Sequence, residues 1–379
     1  MKQTLLYLAS CWCVLAFLCL PFPYHFLPNI GLQISKLLLS INTSICSWVG
    51  VDVSNSFYIS DSLASYSTAL ILLFFSILIT FMSSWKLKSW MSKIQSYFFI
   101  ILIVVIAYFL IRYGIDKLSG NQFYTPASNT LHTPTGQLSK DILFWSSMGT
   151  SSIYNVFMAF IEITAGLLLL FYRTRFLGLI MSFGILLNIL AINIGFDITV
   201  KYLSFLLVIS TCICLCFYSS KIRFLVSNKI QQDVIPKTTL FSSKFVVLFA
   251  FLPFSMDLIS TFREYHFRDS GQSYKTTTFE GSIQLLQGNE IVRIHLHPDG
   301  YIIFEDHLQK FNSHKLSNNR KYIEFNSQLY PIVISDNEIR ITEQSSKIKW
   351  NVVPINLNTL NLKQDNTHWY FEKMIQNNN

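Results

Sequence analysis

Charged and amide side chains occur at matching depths within the hydrophobic stretches between residues 112 and 201. Glu162 stands in the middle of the apolar run at 153–171. Placing an ionisable residue at the centre of a bilayer costs roughly 3 kcal/mol on the scale derived from membrane-insertion experiments, which gives the lowest values. This acid therefore needs a partner or a function. Neighbouring runs supply groups that could meet it. The predicted internal polar or ligand-binding site consists of Arg112, Lys117, Tyr154, Asn155, Glu162, Asn188, Asn193, Asp197 and Lys201.

The helical rise of 1.5 Å per residue sets the depth of each of these groups. With helix ends placed near Ser119 and Ser151, Arg112 lies about 10 Å and Glu162 about 16 Å below the same surface. An arginine side chain can bridge a gap of roughly 6 Å. Asn188, on the next run, lies about as deep as the acid. We therefore predict that Arg112 and Asn188 hold the Glu162 carboxyl group.

Asn193, Asp197 and Lys201 follow one another at four-residue spacing, which predicts one helical face that runs out to the surface. Polar side chains in a membrane bundle can serve helix association, or they can bind a ligand. The sequence leaves both readings open. It contains no GxSxG, HExxH or paired-carboxylate motif, so we assign no catalytic residue and no hydrolase chemistry.

The composition indicates a membrane protein. Hydrophobic residues make up 51% of the 379 residues and charged residues 13%. Residues 1–262 hold 16 Lys and Arg against 8 Asp and Glu, whereas residues 263–379 hold 13 of each. The excess of positive charge therefore lies beside the hydrophobic runs, where it indicates membrane topology. A nucleic-acid interface would need a basic face on a soluble domain, so we expect the lipid bilayer and no nucleic acid as a partner.

Apolar runs long enough to cross a hydrocarbon core of roughly 30 Å predict seven transmembrane helices. They lie at about 4–20, 66–83, 96–113, 153–171, 177–195, 202–218 and 243–260. The first run could be a signal peptide, because LASC at 8–11 resembles a lipoprotein cleavage site. The apolar run continues well beyond that segment, and we therefore favour a retained helix. Lys and Arg concentrate in alternate loops, which predicts a cytoplasmic N-terminus and a periplasmic C-terminal domain in a bacterial inner membrane.

The predicted fold is a membrane all-α helical bundle with a small C-terminal all-β extramembrane domain. Residues 1–95 form a two-helix region with an amphipathic interfacial helix at about 30–48, where apolar residues recur at helical spacing. Residues 96–220 form a four-helix core. Residues 221–262 form a cytoplasmic loop and the seventh helix, and residues 263–379 form the β domain.

Alternating strands fill the last third of the chain. In the run EIVRIHLHPDGYIIF, Pro298, Asp299 and Gly300 supply a turn between two strands. Similar runs follow at 321–326, 328–335, 338–343, 347–355 and 367–373, which predicts an antiparallel sandwich or barrel of about seven strands. His295 and His297 share a strand face without a clear carboxylate partner. We interpret this face as solvated, and we predict no metal site.

From about 97 to 218 the chain resembles the DoxX-like family of small four-helix membrane proteins, in particular its longer bacterial members with extra N-terminal helices and a β tail. The YISDS segment around Asp61 stands where relatives have Gly-Ser-Gly-Asp. The matching residues are Tyr113-Gly114-x-x-Lys117, Gln122-Phe123, Trp145, Gly149-x-Ser151-x-x-Tyr154, Glu162, Gly166, Arg173-Thr174, Gly178, Asn188 to Asn193, and Asp197, Val200 and Lys201 of FDITVK.

The resemblance implies two functions of different classes, because most of the family has no assigned activity. Its named member works with a partner subunit that passes electrons from thiosulfate to quinone, which implies a quinone or another lipophilic ligand. More distant relatives look like helpers in protein maturation, which implies a scaffold or accessory subunit whose β domain holds a periplasmic or membrane protein partner. No cofactor motif is evident in the sequence, and we therefore favour the scaffold over the quinone-linked redox component.

Overall fold

The computed structural model divides into two units, which are described separately. The first consists of Met1–Tyr124 with Lys140–Ser270, and the second of Thr125–Ser139 with Gly271–Asn379. The described residues are 2–20, 39–48, 50, 61–86, 88–120, 122–123, 126, 130, 133–227, 259, 278–280, 291–297, 300–308, 310–317, 321–325, 327–334, 338–342, 347–351 and 353–355.

The first unit is helical, as its apolar runs predict. Short turns at 171–174 and 196–200 connect helices that run in opposite directions and pack side by side. The helices are α1 (Lys2–Cys19), α2 (Leu39–Trp48), α3 (Leu63–Lys86), α4 (Lys88–Leu118), α5 (Lys140–Gly149), α6 (Ser152–Leu170), α7 (Arg175–Gly195), α8 (Lys201–Phe217) and α9 (Ser219–Ser227).

Four helices in the described part of the chain are long and apolar enough to cross a membrane, namely α3, α4, α6 and α7. The structure therefore supports a membrane protein with four candidate spans and does not by itself support seven. The runs predicted as the first and sixth spans form α1 and α8, which are apolar but shorter. The run predicted at 243–260 lies outside the described residues, apart from 259.

The core of the helical unit lies around α4. Its residues from Leu102 to Leu110 are all buried, and they pack against apolar side chains of α1, α3, α6, α7 and α8. Hydroxyl groups within the bundle bond to the carbonyl one turn back, as Thr80 and Thr211 do. In α2, Asn42 is buried and bonds Ser67 and Thr68 of α3. The described part of the predicted interfacial helix thus packs against a candidate span.

Two glycines bring α4 and α6 together. An added Cβ at Gly114 would lie 2.6 Å from Ile163 Cγ1 and 2.9 Å from the Ala159 carbonyl oxygen. A Cβ at Gly166 would lie 2.7 Å from Ile111 Cγ1. Small residues at a helix interface let the backbones approach closely, which favours van der Waals packing inside a membrane. The two helices are therefore held in one rotational setting against each other.

The second unit contains two antiparallel sheets, which confirms a small C-terminal β region. One has the strand order β4-β3-β2-β1-β9 and the other β5-β6-β7-β8. Gly300, at φ +81°, stands between the paired strands β2 and β3, where the turn was predicted. The strands are β1 (Thr278–Glu280), β2 (Ile291–His297), β3 (Tyr301–Asp306), β4 (Phe311–Lys315), β5 (Tyr322–Phe325), β6 (Gln328–Ile334), β7 (Glu338–Thr342), β8 (Lys347–Asn351) and β9 (Val353–Ile355).

His295 corrects the prediction of a solvated histidine face. It is fully buried, and its Nε2 lies 3.0 Å from Oε2 of the buried Glu305 on β3. Ile294, its neighbour on the other face of β2, is buried too. The middle of this strand is therefore covered on both faces, which simple alternation does not reveal. The strand predicted at 367–373 lies outside the described residues.

The glycine contact between α4 and α6 can be tested with a methyl group. Gly114→Ala places a Cβ against the backbone of Ala159, and we expect it to lower the free energy of unfolding by about 1–3 kcal/mol, as overpacking does. Thermal unfolding of the purified chain in detergent measures the loss. Gly184→Ala on α7 is the matched control, because its Cβ would meet nothing within 4 Å. An equal effect of the two substitutions would contradict a tight α4–α6 contact.

Candidate functional site

Glu162 pairs with Lys117 in the interior of the helical unit. The Lys117 Nζ donates a hydrogen bond to Glu162 Oε2 at 2.9 Å. The two side chains are 4% and 0% exposed, respectively. Breaking such a buried pair by removing one partner leaves an uncompensated charge, which is strongly destabilising. This ion pair is the centre of the site.

The end of α4 positions Lys117. Gly114 and Lys117 are three residues apart, so they share the helix face that packs against α6. The chain leaves the helix at Gly120, which adopts φ +71°, a conformation that glycine permits without strain. The Gln122 N–H then bonds the Asp116 carbonyl. Its side-chain Oε1 accepts a second hydrogen bond from Lys117 Nζ, at 2.8 Å.

Aromatic rings surround the ammonium group. Lys117 Nζ lies 5.7 Å from the centroid of the Tyr113 ring and 5.2 Å from that of Phe123. Such distances favour a cation–π attraction, which strengthens when water is excluded. Phe123 belongs to an apolar cluster with Phe144 and Ile198, and Trp145, Met148 and Phe196 also pack there. We call these six residues the aromatic cap. It covers the part of the bundle where α4 ends and α7 meets α8.

Three buried polar atoms of the predicted site residues have no hydrogen-bond partner in the described part of the chain: Asn155 Oδ1, Glu162 Oε1 and Asn193 Nδ2. Asn155 and Glu162 lie seven residues apart on α6 and therefore share one helical face. Leaving a buried donor or acceptor unsatisfied costs about 1–3 kcal/mol. Two free acceptors and one free donor thus remain for a water molecule or a polar ligand group.

The predicted partners of Glu162 were wrong. Arg112 Nε bonds Asp116 Oδ2 at 3.0 Å, one turn along the same helix. Asn188 is exposed on α7. The prediction matched only the depth of each residue along the helix axis, whereas each successive residue also turns its side chain by about 100° around that axis. Arg112 lies two residues before Gly114 and points away from α6, whereas Lys117 points toward it.

The outer helical face predicted from Asn193 to Lys201 is interrupted. The helix α7 ends at Gly195, and Asp197 adopts φ +56°. Lys201 Nζ still bonds Asp197 Oδ1, at 2.7 Å, and this hydrogen bond holds the pKa of the Asp197 carboxyl below its ordinary value. Tyr154 is exposed in the first turn of α6. Of the predicted site residues, Lys117 and Glu162 are in contact, and Asn155 and Asn193 are also buried, on α6 and α7, whereas Arg112, Tyr154, Asn188, Asp197 and Lys201 are more exposed.

Sequence reasoning missed the role of Asp61. Its two carboxylate oxygens accept the backbone N–H groups of Lys201 and Tyr202, each at 2.9 Å. An acid there satisfies orphan donors and complements the positive end of the α8 dipole. Gln122 was noted as a matching residue but not as part of the site. The signal that could have found it is its place just beyond Gly120, where the chain turns back.

The chain is similar to a known protein over a short segment. No family model and no solved structure matches the chain. A segment of 65 residues is 43% identical to the uncharacterized protein YwoB of Bacillus subtilis (strain 168). The segment is 17% of this chain and 42% of YwoB, so the chain spans less than half the length of that relative. This similarity covers too little of either protein to show a family.

The ion pair predicts a non-additive response to substitution. Glu162→Gln leaves the Lys117 ammonium without its counter-charge, and Lys117→Met leaves the carboxylate alone, so each should cost about 3–5 kcal/mol. The double variant removes both charges, and we expect it to recover much of the loss. Thermal stability in detergent of the three variants gives the coupling energy.

Arg112→Leu is the control for this cycle, because its partly exposed helical pair with Asp116 should contribute less than about 1 kcal/mol. Additive losses in the double variant would contradict direct pairing. An unchanged stability of Glu162→Gln would mean that the acid is neutral and serves as a hydrogen-bond donor.

Proposed function

We propose that the chain is a DoxX-like inner-membrane protein that acts as a scaffold or accessory subunit. In this proposal the β domain holds a periplasmic or membrane protein partner, and the bundle contains an internal polar site around Glu162. The observation that carries the scaffold function is an apolar surface strip on the β domain. We call it the β6 strip, and it consists of Tyr322, Leu329, Pro331 and Val333.

The β6 strip lies on one face of the four-stranded sheet. Leu329 and Val333 are 62% and 59% exposed, whereas Ile332, which points the other way, is buried. Tyr322 stands directly opposite Pro331 on the neighbouring strand. Contiguous exposed apolar side chains on a soluble surface are typical of protein–protein contact sites. A partner that buries this strip would remove the apolar area from water, and that removal favours association.

The proposed topology places seven helices in the membrane, with the N-terminus in the cytoplasm and the β domain in the periplasm. It rests on the basic residues at one end of the bundle, where α3 meets α4, α6 meets α7, and α8 meets α9. These are Lys86, Lys88, Arg173, Arg175, Lys221 and Arg223. Positive charge favours the cytoplasmic side. The apolar run at 243–260 supplies the seventh span that carries the chain across.

A second function, as a quinone-linked or other lipophilic-ligand redox component, is favoured by one specific observation. The unpartnered Oε1 of Glu162 lies close to the aromatic cap, because the Lys117 Nζ that pairs with this acid also lies 5.2 Å from the centroid of the Phe123 ring. A ligand with a polar head and an apolar ring could bond the first and pack against the second. The chain's own groups would then bind and orient the ligand, and the carboxyl group of Glu162 could exchange a proton with it.

The scaffold function predicts a partner that depends on the β6 strip. After mild crosslinking in its host, the unchanged chain should co-purify with an exported protein. The double variant Leu329→Ser with Val333→Ser should fold but no longer co-purify with that protein. Quantitative mass spectrometry of the two preparations measures the loss. Leu308→Ser is the matched control, because Leu308 is equally exposed, at 60%, and lies beyond β3 of the other sheet.

Equal recovery of every protein with all variants would contradict a partner on the strip. Quinone extracted in stoichiometric amount from the same preparations, and lost on Asn155→Leu, would favour the redox function instead. The two functions are thus separated by one set of samples.

The topology predicts where a reporter enzyme is active. Alkaline phosphatase works only after export, so a fusion after Asn379 should be active and one after Lys88 inactive. Enzyme activity per fusion protein, measured in intact cells, gives the result. The reverse pattern would place the β domain in the cytoplasm.

A further inference from the structure

Arg175 is an unexplained buried cation at the end of the bundle away from the Lys117–Glu162 pair. It is the first residue of α7 and is 1% exposed. Its Nε donates to the Leu169 carbonyl at 3.0 Å. The guanidinium carbon lies 5.9 Å from the ring centroids of both Phe99 and Tyr172. These contacts fix the guanidinium at the α6–α7 turn without neutralising its charge.

Two of the three guanidinium nitrogens are unsatisfied. Nη1 and Nη2 of Arg175 and the hydroxyl of Tyr218 are buried, and none of the three has a hydrogen-bond partner among the described residues. No ion pair with a carboxylate involves Arg175 among the residues that the structure describes. A guanidinium stays protonated in proteins, so neutralisation by proton loss is not open to it. A buried charge of this kind requires a counter-ion.

The start of α7 presents further free donors. Helix termini leave the first backbone N–H groups without an intrahelical partner. Thr174 precedes the helix, but its hydroxyl donates to the Leu168 carbonyl at 2.9 Å and accepts nothing from the first turn. The positive end of the helix dipole adds to the charge of Arg175 there. Both features attract an anion, and helix N-termini bind phosphate through them.

The surroundings of Arg175 are basic, and one of the neighbouring rings is partly exposed. Arg173, Lys221 and Arg223 are exposed, and Lys221 Nζ lies 5.4 Å from the ring centroid of Tyr218. Of the rings near the guanidinium, Phe99 is buried, whereas Tyr172 is 43% exposed. A ligand would therefore reach the guanidinium past Tyr172. Exposed basic side chains at this end would raise the local concentration of anions.

We propose that Arg175, the start of α7 and the Tyr218 hydroxyl form a binding site for a phosphate group. The Nη1 and Nη2 atoms donate a bidentate pair of hydrogen bonds to two phosphate oxygens, for which the planar guanidinium is suited. The Tyr218 hydroxyl donates a third. Two sources carry this chemistry: the headgroup of an anionic phospholipid and a free phosphate. The site is separate from the partner and the ligand proposed above.

The test uses the full chain, purified in detergent and freed of lipid. Thermal stability is measured at increasing concentrations of phosphatidylglycerol, of phosphatidylcholine and of inorganic phosphate, each in a separate series. Native mass spectrometry counts the lipids that the chain retains. The unchanged chain should bind phosphatidylglycerol more tightly than phosphatidylcholine. Arg175→Gln should weaken that binding at least about tenfold, because hydrogen bonds to a charged group are lost.

Arg173→Gln is the matched control, because it removes one positive charge from the neighbouring exposed position and should leave the affinity within about twofold, as screened surface charges do. Tyr218→Phe, which leaves the helix start intact, should weaken binding less than Arg175→Gln, and it tests the site even where Arg175→Gln does not fold. A response to inorganic phosphate without a lipid preference would support the site with the free anion as its source. No preference between the lipids and no response to phosphate, or equal binding by all variants, would overturn the proposal.

Discussion

The arrangement of the helical unit depends on keeping one pair of opposite charges together in an apolar interior. Lys117 and Glu162 belong to different helices, so the pair forms only where α4 and α6 adopt one rotational setting. Gly114 and Gly166 enforce that setting, because a side chain at either position would overlap the other helix. The desolvation of two charges opposes folding, whereas the close backbone contact favours it. The glycine packing therefore offsets part of the cost of burying the polar centre.

Much of this architecture follows from the sequence, because the dominant signals are local. Apolar runs of sufficient length predict the helices, and alternation of apolar residues predicts the strands. Glu162 is identifiable because a mid-run acid is rare for a clear energetic reason. Its partner is not identifiable in the same way. The choice between Arg112 and Lys117 depends on rotation about the helix axis and on the turn at Gly120, and both are set by contacts distant in the chain.

The β unit illustrates the same limit at His295. Alternation correctly places the side chains of His295 and Ile294 on opposite faces of the strand, but it does not reveal what covers each face. The partner of His295 is Glu305, ten residues further on, and the antiparallel register of β2 and β3 brings them together. Each member of such a buried polar pair lowers the cost of burying the other. Periodicity predicts strands, whereas pairing decides which polar residues can be buried.

Lys117 and Arg175 are both buried cations, and the described residues satisfy them to different degrees. Lys117 has a carboxylate and an amide oxygen within 2.9 Å and two rings nearby. Arg175 is buried at least as deeply, yet the described residues supply it with one carbonyl oxygen and two nearby rings. Burial without hydrogen bonds costs more than helix association alone would justify. The contrast between a satisfied and an unsatisfied cation within the described part of the bundle therefore supports the anion site proposed at Arg175.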